Sequence, residues 1–225
     1  MVLRIGHRGA AGHAPENTLR SFERAVLLKC DMTELDVHLC SSGELVVIHD
    51  ETVDRTTDGK GKVSDLTLNE LKLLNAGQGE EIPTLYEVLS LLRGMIGLNI
   101  ELKGLGTAKP VHDLVKELSW GNNDLMISSF NWGMLKEYRV LDSNARLGIL
   151  TFKNHGEAME FAETIDAYSI NPYHGLLQKK YVGKAHDKGF KVYPWTPNKE
   201  SEIKQAMQKG VDGVISDYPD RIPDS

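Results

Sequence analysis

The feature that most limits how this chain can fold is an alternation running its whole length, in which short apolar runs of strand length give way to longer runs with helical periodicity. The strand-like runs are LRIGH at 3–7, TELDV at 33–37, LNIELK at 98–103, LMISSF at 125–130, ARLGIL at 145–150, AYSIN at 167–171, KVYPW at 191–195 and DGVIS at 212–216. The helical ones are NTLRSFERAVLLK, PTLYEVLSLLRG, VHDLVKELSW, GMLKEYRVL, HGEAMEFAET and NKESEIKQAMQKG, several closed by glycine in the position that ends helices. Regular strand–helix succession is the signature of βα units around a parallel sheet. One further run, ELVVIH at 44–49, follows its predecessor too closely for a parallel crossover, so it must turn back antiparallel through Ser42-Gly43.

With that hairpin arm set aside, eight parallel strands remain in 225 residues, slightly below the ~250 typical of a (β/α)8 barrel. The expectation is one α/β domain over 1–225, a TIM barrel with a small insertion at 38–82 after the second strand. The polar, glycine-bearing stretch DETVDRTTDGKGKVSD falls inside that insertion. An open doubly wound sheet would carry a GxGxxG fingerprint after its first strand, and none is there.

A chain of this length buries ~70% of its unfolded surface and needs no disulfide or structural metal to stand alone. Cys30 and Cys40 lack CxxC spacing and read as reduced, partly buried thiols. The net charge of −6 argues against a nucleic-acid partner, whose phosphates demand a basic surface. No apolar run approaches the ~20 residues of a membrane span. The opening MVLRIGHRG offers neither an apolar leader nor a cleavage site, so the expected location is the cytoplasm and no stable membrane insertion is expected.

Barrel strands face helices on one side and a packed interior on the other. Glu34 and Asp36 alternate with Leu35 and Val37 and must point inward. In LNIELK the apolar set Leu98, Ile100 and Leu102 leaves Asn99, Glu101 and Lys103 on the interior side. These groups lie toward the C-terminal strand ends, the rim where barrel enzymes build active sites. If the hairpin closes on Ser42 and Gly43 alone, position 36 lies opposite position 49, and His49 meets Asp36 at ~5 Å. Three carboxylates at ~4 Å repel by ~4 kcal/mol per pair at an effective dielectric of ~20, so they hold protons, pair with Arg8 or Lys103, or bind a cation. All-oxygen ligands select one hard divalent ion, Mg²⁺ or Ca²⁺. His7 and Arg8 end the first strand and reach the same rim. Two imidazoles, a metal and two cations together suggest a general acid and base flanking a charged, oxygen-rich reacting centre. Trp195, at the rim of the seventh strand, is the best candidate for an aromatic wall against substrate. Glu16 and Asn17 most simply cap the first helix, with a site contact secondary; Thr56 and Thr57 order the insertion ahead of any contact with substrate; and Asp217 reads as a turn or hydrogen-bonding rim residue rather than a fourth metal ligand.

HRG at 7–9, APENT at 14–18, ELD at 34–36, HDETVDRTTDGKG at 49–61, IPTL at 82–85, NIELK at 99–103, ISSF at 127–130, WTPN at 195–198 and DGVISDYP at 212–219 stand in an order that resembles the glycerophosphodiester phosphodiesterase family. The resemblance implies a TIM barrel enzyme that hydrolyses small-molecule glycerophosphodiesters, with a divalent metal, to sn-glycerol 3-phosphate and an alcohol. Residue by residue, it implies Glu34, Asp36 and Glu101 as metal ligands, His7 and His49 as the catalytic acid–base pair, and Arg8 and Lys103 as phosphate-binding cations. The expected reaction is in-line displacement at phosphorus, the attacking hydroxyl belonging to water or to the glycerol C2 position. Two alternatives share the scaffold: a lysophospholipase D, which needs an apolar groove, and a phosphodiester-binding barrel without catalysis. WTPN departs from the more usual WTVN, and SINPYHGL at 169–176 is not diagnostic.

Overall fold

The computed structural model of the chain describes residues 2–121 and 124–223. Among the described residues nine strands and eight α-helices follow one another, alternating except where the second strand leads into the third and the second helix into the third. The strands are β1 (Leu3–Gly6), β2 (Met32–Leu39), β3 (Leu45–Val47), β4 (Gly97–Leu102), β5 (Leu125–Ser129), β6 (Leu147–Thr151), β7 (Ser169–Pro172), β8 (Lys191–Val192) and β9 (Gly213–Ser216). The helices are α1 (Leu19–Leu27), α2 (Leu68–Lys72), α3 (Leu85–Leu92), α4 (Ala108–Glu117), α5 (Trp132–Leu141), α6 (His155–Thr164), α7 (Lys179–Asp187) and α8 (Glu200–Gln208). Hydrogen-bonded neighbours run β8-β7-β6-β5-β4-β2-β1-β9, all parallel, and β3 pairs antiparallel with β2. The ring closes between β8 and β9 through a single parallel bridge, Trp195 to Ile215, with Ile215 N–H donating to the Pro194 carbonyl at 3.0 Å. The architecture is the expected eight-stranded parallel barrel with its hairpin insertion.

Two layers of packing follow from the alternation. Leu35, Val37, Leu98, Ile100, Leu102, Ile127, Leu147 and Ile149 face outward into the helices and are buried to 1% exposure or less; each such side chain is worth about 1.5–3 kcal/mol of transfer free energy. The barrel axis is filled at its lower end by Ile5, Met126, Tyr193 and Ile215. Above that plug the interior turns polar, because the same strands carry Glu34, Asp36, Asn99, Glu101 and Ser128, all buried.

Three local expectations change. KVYPW keeps only Lys191–Val192 as strand, since Pro194 has no N–H for the ladder and pairing resumes as the isolated Trp195 bridges. Helix α7 forms in a lysine-rich stretch poor in apolar residues, with Tyr181, Val182 and Ala185 on its buried side. The hairpin register is shifted by one residue, with Val37 facing Val47 and Leu39 facing Leu45, so Asp36 lies level with Ile48 and not with His49. The loop has three residues, Ser41–Gly43, closed by the Cys40 N–H to the Glu44 carbonyl at 3.1 Å. Gly43 occupies the third position at φ +96, the left-handed conformation such a loop demands. His49 thus lies beyond the ladder, on the turn that follows β3.

The insertion, from the end of β2 to the start of α3, builds its own small apolar cluster, Cys40, Val46, Ile48, Val53, Val63, Leu71, Ala76 and Ile82. Cys30 and Cys40 are free and buried. Helix α1 is capped by Thr18, which accepts from Ser21 N–H, rather than by Glu16 or Asn17. Those two residues are released for other contacts.

Candidate active site

The parallel register of β2 and β4 sets Glu34 beside Asn99 and Asp36 beside Glu101. Both strands alternate apolar-out and acidic-in, so three carboxylates converge inside the barrel mouth, with ligand oxygens of Glu34, Asp36 and Glu101 all within 4.8 Å of one another. They are 3%, 1% and 8% exposed. Water cannot screen them. Burial, with the neighbouring charges of Asp36 and Glu101, pushes the Glu34 carboxyl well above the usual carboxylate range. Burial and Asp36 push Glu101 up to about 8 against the pull of Lys103. Asp36 Oδ1 has no hydrogen-bond partner. A buried carboxylate oxygen without a partner, next to acids that resist ionisation, fits a site built around a cation.

The remaining contacts hold this cluster in place. Arg8 sits at φ +50, a conformation unusual for a side-chain-bearing residue, and from there its N–H donates to Glu34 Oε2 at 2.9 Å. Its Nε lies 3.4 Å from Asp36 Oδ2, and its Nη1 donates to Glu16 Oε1 at 2.7 Å. Asn17 Nδ2 donates to Asp36 Oδ2 at 2.9 Å. Lys103 Nζ lies 3.3 Å from Glu101 Oε1 and 3.1 Å from His49 Nε2.

Each histidine at the rim has a carboxylate behind it. His7 Nδ1 is 2.6 Å from Asp217 Oδ1, which leaves Nε2 facing the acidic cluster, 3.9 Å from Glu34 Oε2. Asn198 Nδ2 donates to the other oxygen of Asp217. His49 Nδ1 is 2.6 Å from Asp50 Oδ1. Burial lowers the His49 pKa, and the nearby charges of Arg8 and Lys103 act in the same direction against Asp36 and Asp50. The neutral imidazole, its Nε2 lone pair facing Lys103, is favoured.

Arg55 from the insertion completes the rim. Its Nε and Nη2 donate to Asp50 at 2.7 and 3.0 Å, and its Nη1 and Nη2 donate to Glu16 at 2.8 Å each. Burial alone would raise the Glu16 pKa, but hydrogen bonds from Arg55 and the charge of Arg8 hold it down to about 2. Opposite the charged half, Phe130, Leu150 and Trp195 line the same cavity. The Trp195 indole donates to the Asn171 carbonyl at 2.9 Å and meets Phe130 edge-on at 5.4 Å. Tyr173 lies 5.3 Å from Trp195 and stacks on Phe152 at 4.7 Å.

All eight residues expected at the site, His7, His49, Arg8, Lys103, Trp195, Glu34, Asp36 and Glu101, therefore lie around the barrel mouth, joined by the contacts above or, for Trp195, by the shared cavity. The sequence reading missed the roles of Asp50 and Arg55, and it ranked a site contact for Glu16 and Asn17 second to capping. Thr56 and Thr57 stay in the insertion, where Thr57 Oγ1 donates to the Val53 carbonyl at 2.8 Å.

The model of the glycerophosphoryl diester phosphodiesterase family matches residues 7–221. The chain belongs to that family. Among its phosphodiesterase relatives, the glycerophosphodiester phosphodiesterase of Caldanaerobacter subterraneus is 39% identical, over 98% of this chain and 96% of its own. A lysophospholipase D from Homo sapiens is 29% identical over 98% of this chain and 84% of its own. Among solved structures, an Oleispira antarctica phosphodiesterase in complex with the product sn-glycerol-3-phosphate superimposes with a TM-score of 0.92 at 33% identity, covering 97% of this chain and 94% of that one.

Proposed function

We propose that this phosphodiesterase hydrolyses glycerophosphodiesters to sn-glycerol 3-phosphate and an alcohol, with one divalent cation, Mg²⁺ or Ca²⁺, held by Glu34, Asp36 and Glu101. The observation that carries the reading is the buried acidic triad set between two histidine–carboxylate pairs, His7–Asp217 and His49–Asp50. When bound, the cation supplies positive charge that orients glycerol hydroxyls and a phosphoryl oxygen.

The side chains account for the proton traffic of an in-line displacement at phosphorus. Asp217 and Asp50 occupy the Nδ1 atoms, so Nε2 is the working atom of both rings. His49, favoured in its neutral form, accepts the proton of the attacking hydroxyl at Nε2 once the phosphoryl oxygens of the substrate draw Lys103 away from that lone pair. His7, held at Nδ1 by Asp217, gives a proton from Nε2 to the departing alcohol oxygen. Arg8 and Lys103 offset the negative charge that grows on the phosphoryl oxygens in the transition state. Trp195 and Phe130 form the apolar wall that turns the organic part of the diester away from water.

A second reading, lysophospholipase D, is favoured by one observation: Phe130 and Phe152 are 44% and 52% exposed beside Trp195 and Tyr173, an apolar strip that an acyl-bearing alcohol could cover. Incubation with glycerophosphocholine and with lysophosphatidylcholine, with and without EDTA, separates the two readings and tests the metal. His7→Ala and His49→Ala should each lose roughly 10²–10⁴ in rate while unfolding at an unchanged temperature. Full turnover in both variants removes the acid–base assignment, and full turnover in EDTA removes the cation.

A further inference from the structure

The insertion contributes a residue to the site that neither the proton transfers nor the cation requires. Arg55 lies on a turn pinned at both ends. Val53 is fully buried in the insertion's apolar cluster, and Thr57 donates both its N–H and its Oγ1 hydrogen to the Val53 carbonyl, at 3.1 and 2.8 Å. From that turn the guanidinium reaches two carboxylates on different parts of the fold: Asp50 just after β3, and Glu16 on the loop between β1 and α1. All four of their oxygens are engaged, at 2.7–3.0 Å.

The two oxygens that Arg55 Nη2 touches are the two already committed to the site. Asp50 Oδ1 holds His49 Nδ1 at 2.6 Å, and Glu16 Oε1 holds Arg8 Nη1 at 2.7 Å. One planar group thus sets the orientation of both carboxylates, and through them a histidine and an arginine that belong to different elements. A pair of surface ion pairs made for stability would need no such sharing, and exposed pairs contribute little to stability in any case. A rigid fork with several donors in one plane suits this geometry; a lysine, whose three donors leave a single nitrogen atom, cannot meet four carboxylate oxygens in one plane.

We propose that Arg55 is a positioning residue that fixes His49 and Arg8 relative to each other through Asp50 and Glu16, and that this coupling is what the insertion contributes to the phosphodiesterase reaction. The inference rests on the reading above that His49 and Arg8 act at phosphorus.

The test is steady-state hydrolysis of glycerophosphoethanolamine by the wild-type protein, Arg55→Ala, Arg55→Lys and His49→Ala, with thermal unfolding recorded for each, and with Arg55→Ala repeated in low millimolar guanidinium. Misplacement of catalytic groups by about 1 Å costs ~10²-fold, so Arg55→Ala should fall by about that factor. Guanidinium should restore about tenfold or more, saturably, without changing the wild-type rate, while folded Arg55→Lys remains within about threefold of Arg55→Ala. A rate for Arg55→Ala within about threefold of wild type overturns the proposal, and so does a loss that guanidinium leaves untouched. If Arg55→Ala does not fold, Arg55→Lys decides: a wild-type rate overturns the coupling and a large loss in a folded protein supports it. Full activity in His49→Ala is a separate result, which removes the underlying acid–base reading whatever Arg55 does.

Discussion

Consider the protein stripped of divalent cation and titrated from pH 6 to pH 8. Glu34, Asp36 and Glu101 bring oxygens within 4.8 Å, a separation at which two ionised carboxylates repel by about 3–4 kcal/mol at an effective dielectric of ~20. Arg8, 3.4 Å from Asp36, and Lys103, 3.3 Å from Glu101, each return about 5 kcal/mol by the same measure. Two of the three negative charges are thereby offset and the third is not. The stripped site answers by keeping protons, with Glu101 at about 8 and Glu34 shifted the same way. At pH 7 the Glu101 carboxyl is therefore mostly protonated. A cation must displace that proton, so the apparent association constant should rise about tenfold per pH unit from 6 to 8 for each proton displaced. Isothermal titration with Mg²⁺ or Ca²⁺, in buffers of different ionisation enthalpy, should record about one proton or more released per ion at pH 7. Folding of the stripped protein runs in the opposite sense. Glu101 has a higher pKa folded than its ordinary 4.5, so the native state binds more protons than the unfolded chain and stability falls as pH rises from about 4.5 to about 8. Added cation should therefore raise the unfolding temperature more at pH 8 than at pH 6. A pH-independent association constant, with no proton released at pH 7, would refute the reasoning.

Asp217→Asn removes the negative charge behind His7 while keeping a side chain of the same shape, and should lower kcat by roughly 10²–10⁴ with little effect on Tm, measured by steady-state kinetics and thermal unfolding. Trp195→Ala opens the apolar wall and should raise KM by ~10-fold or more, with a smaller change in kcat, as expected from losing most of an aromatic contact. Gly9 has φ +85 and lies where a Cβ would come 2.3 Å from Ser21 Oγ, so Gly9→Ala should cost ~2 kcal/mol or more in urea unfolding; an unchanged midpoint would show that this stretch relaxes freely.

Much of this molecule can be read from sequence because a barrel strand has no solvent face. Acidic residues at 34, 36 and 101 were anomalous in strands that must be buried on both sides, and alternation alone fixed their direction. The partners of the histidines were harder to see. Asp217 meets His7 only because β9 lies beside β1, and no local pattern records that neighbour. Glu16 and Asn17 carry the residue types of a helix start, so the capping rule claimed them, but Thr18 performs that task. The hairpin register failed for a definite reason: Ser42-Gly43 satisfies a two-residue turn on paper, while Ser41 joins it and moves every downstream pairing by one. Helix α7 is hard to read because its segment is rich in lysine and poor in apolar residues, and three side chains, Tyr181, Val182 and Ala185, suffice to bury one face.

The apolar cluster beneath the insertion is separate from the one that holds the barrel's helices to its strands, and it is small. Units of that kind open and close below the global unfolding temperature. His49 and Arg55 are carried by this lesser unit, whereas the three acids stand on the barrel wall. Warming should therefore disable turnover while the cation remains bound, and amide exchange in the span 50–76 should quicken before that of the strands. Catalytic lifetime and scaffold lifetime become two independently adjustable properties, and repacking Val53, Val63 or Leu71 is the place to lengthen the first without touching the second.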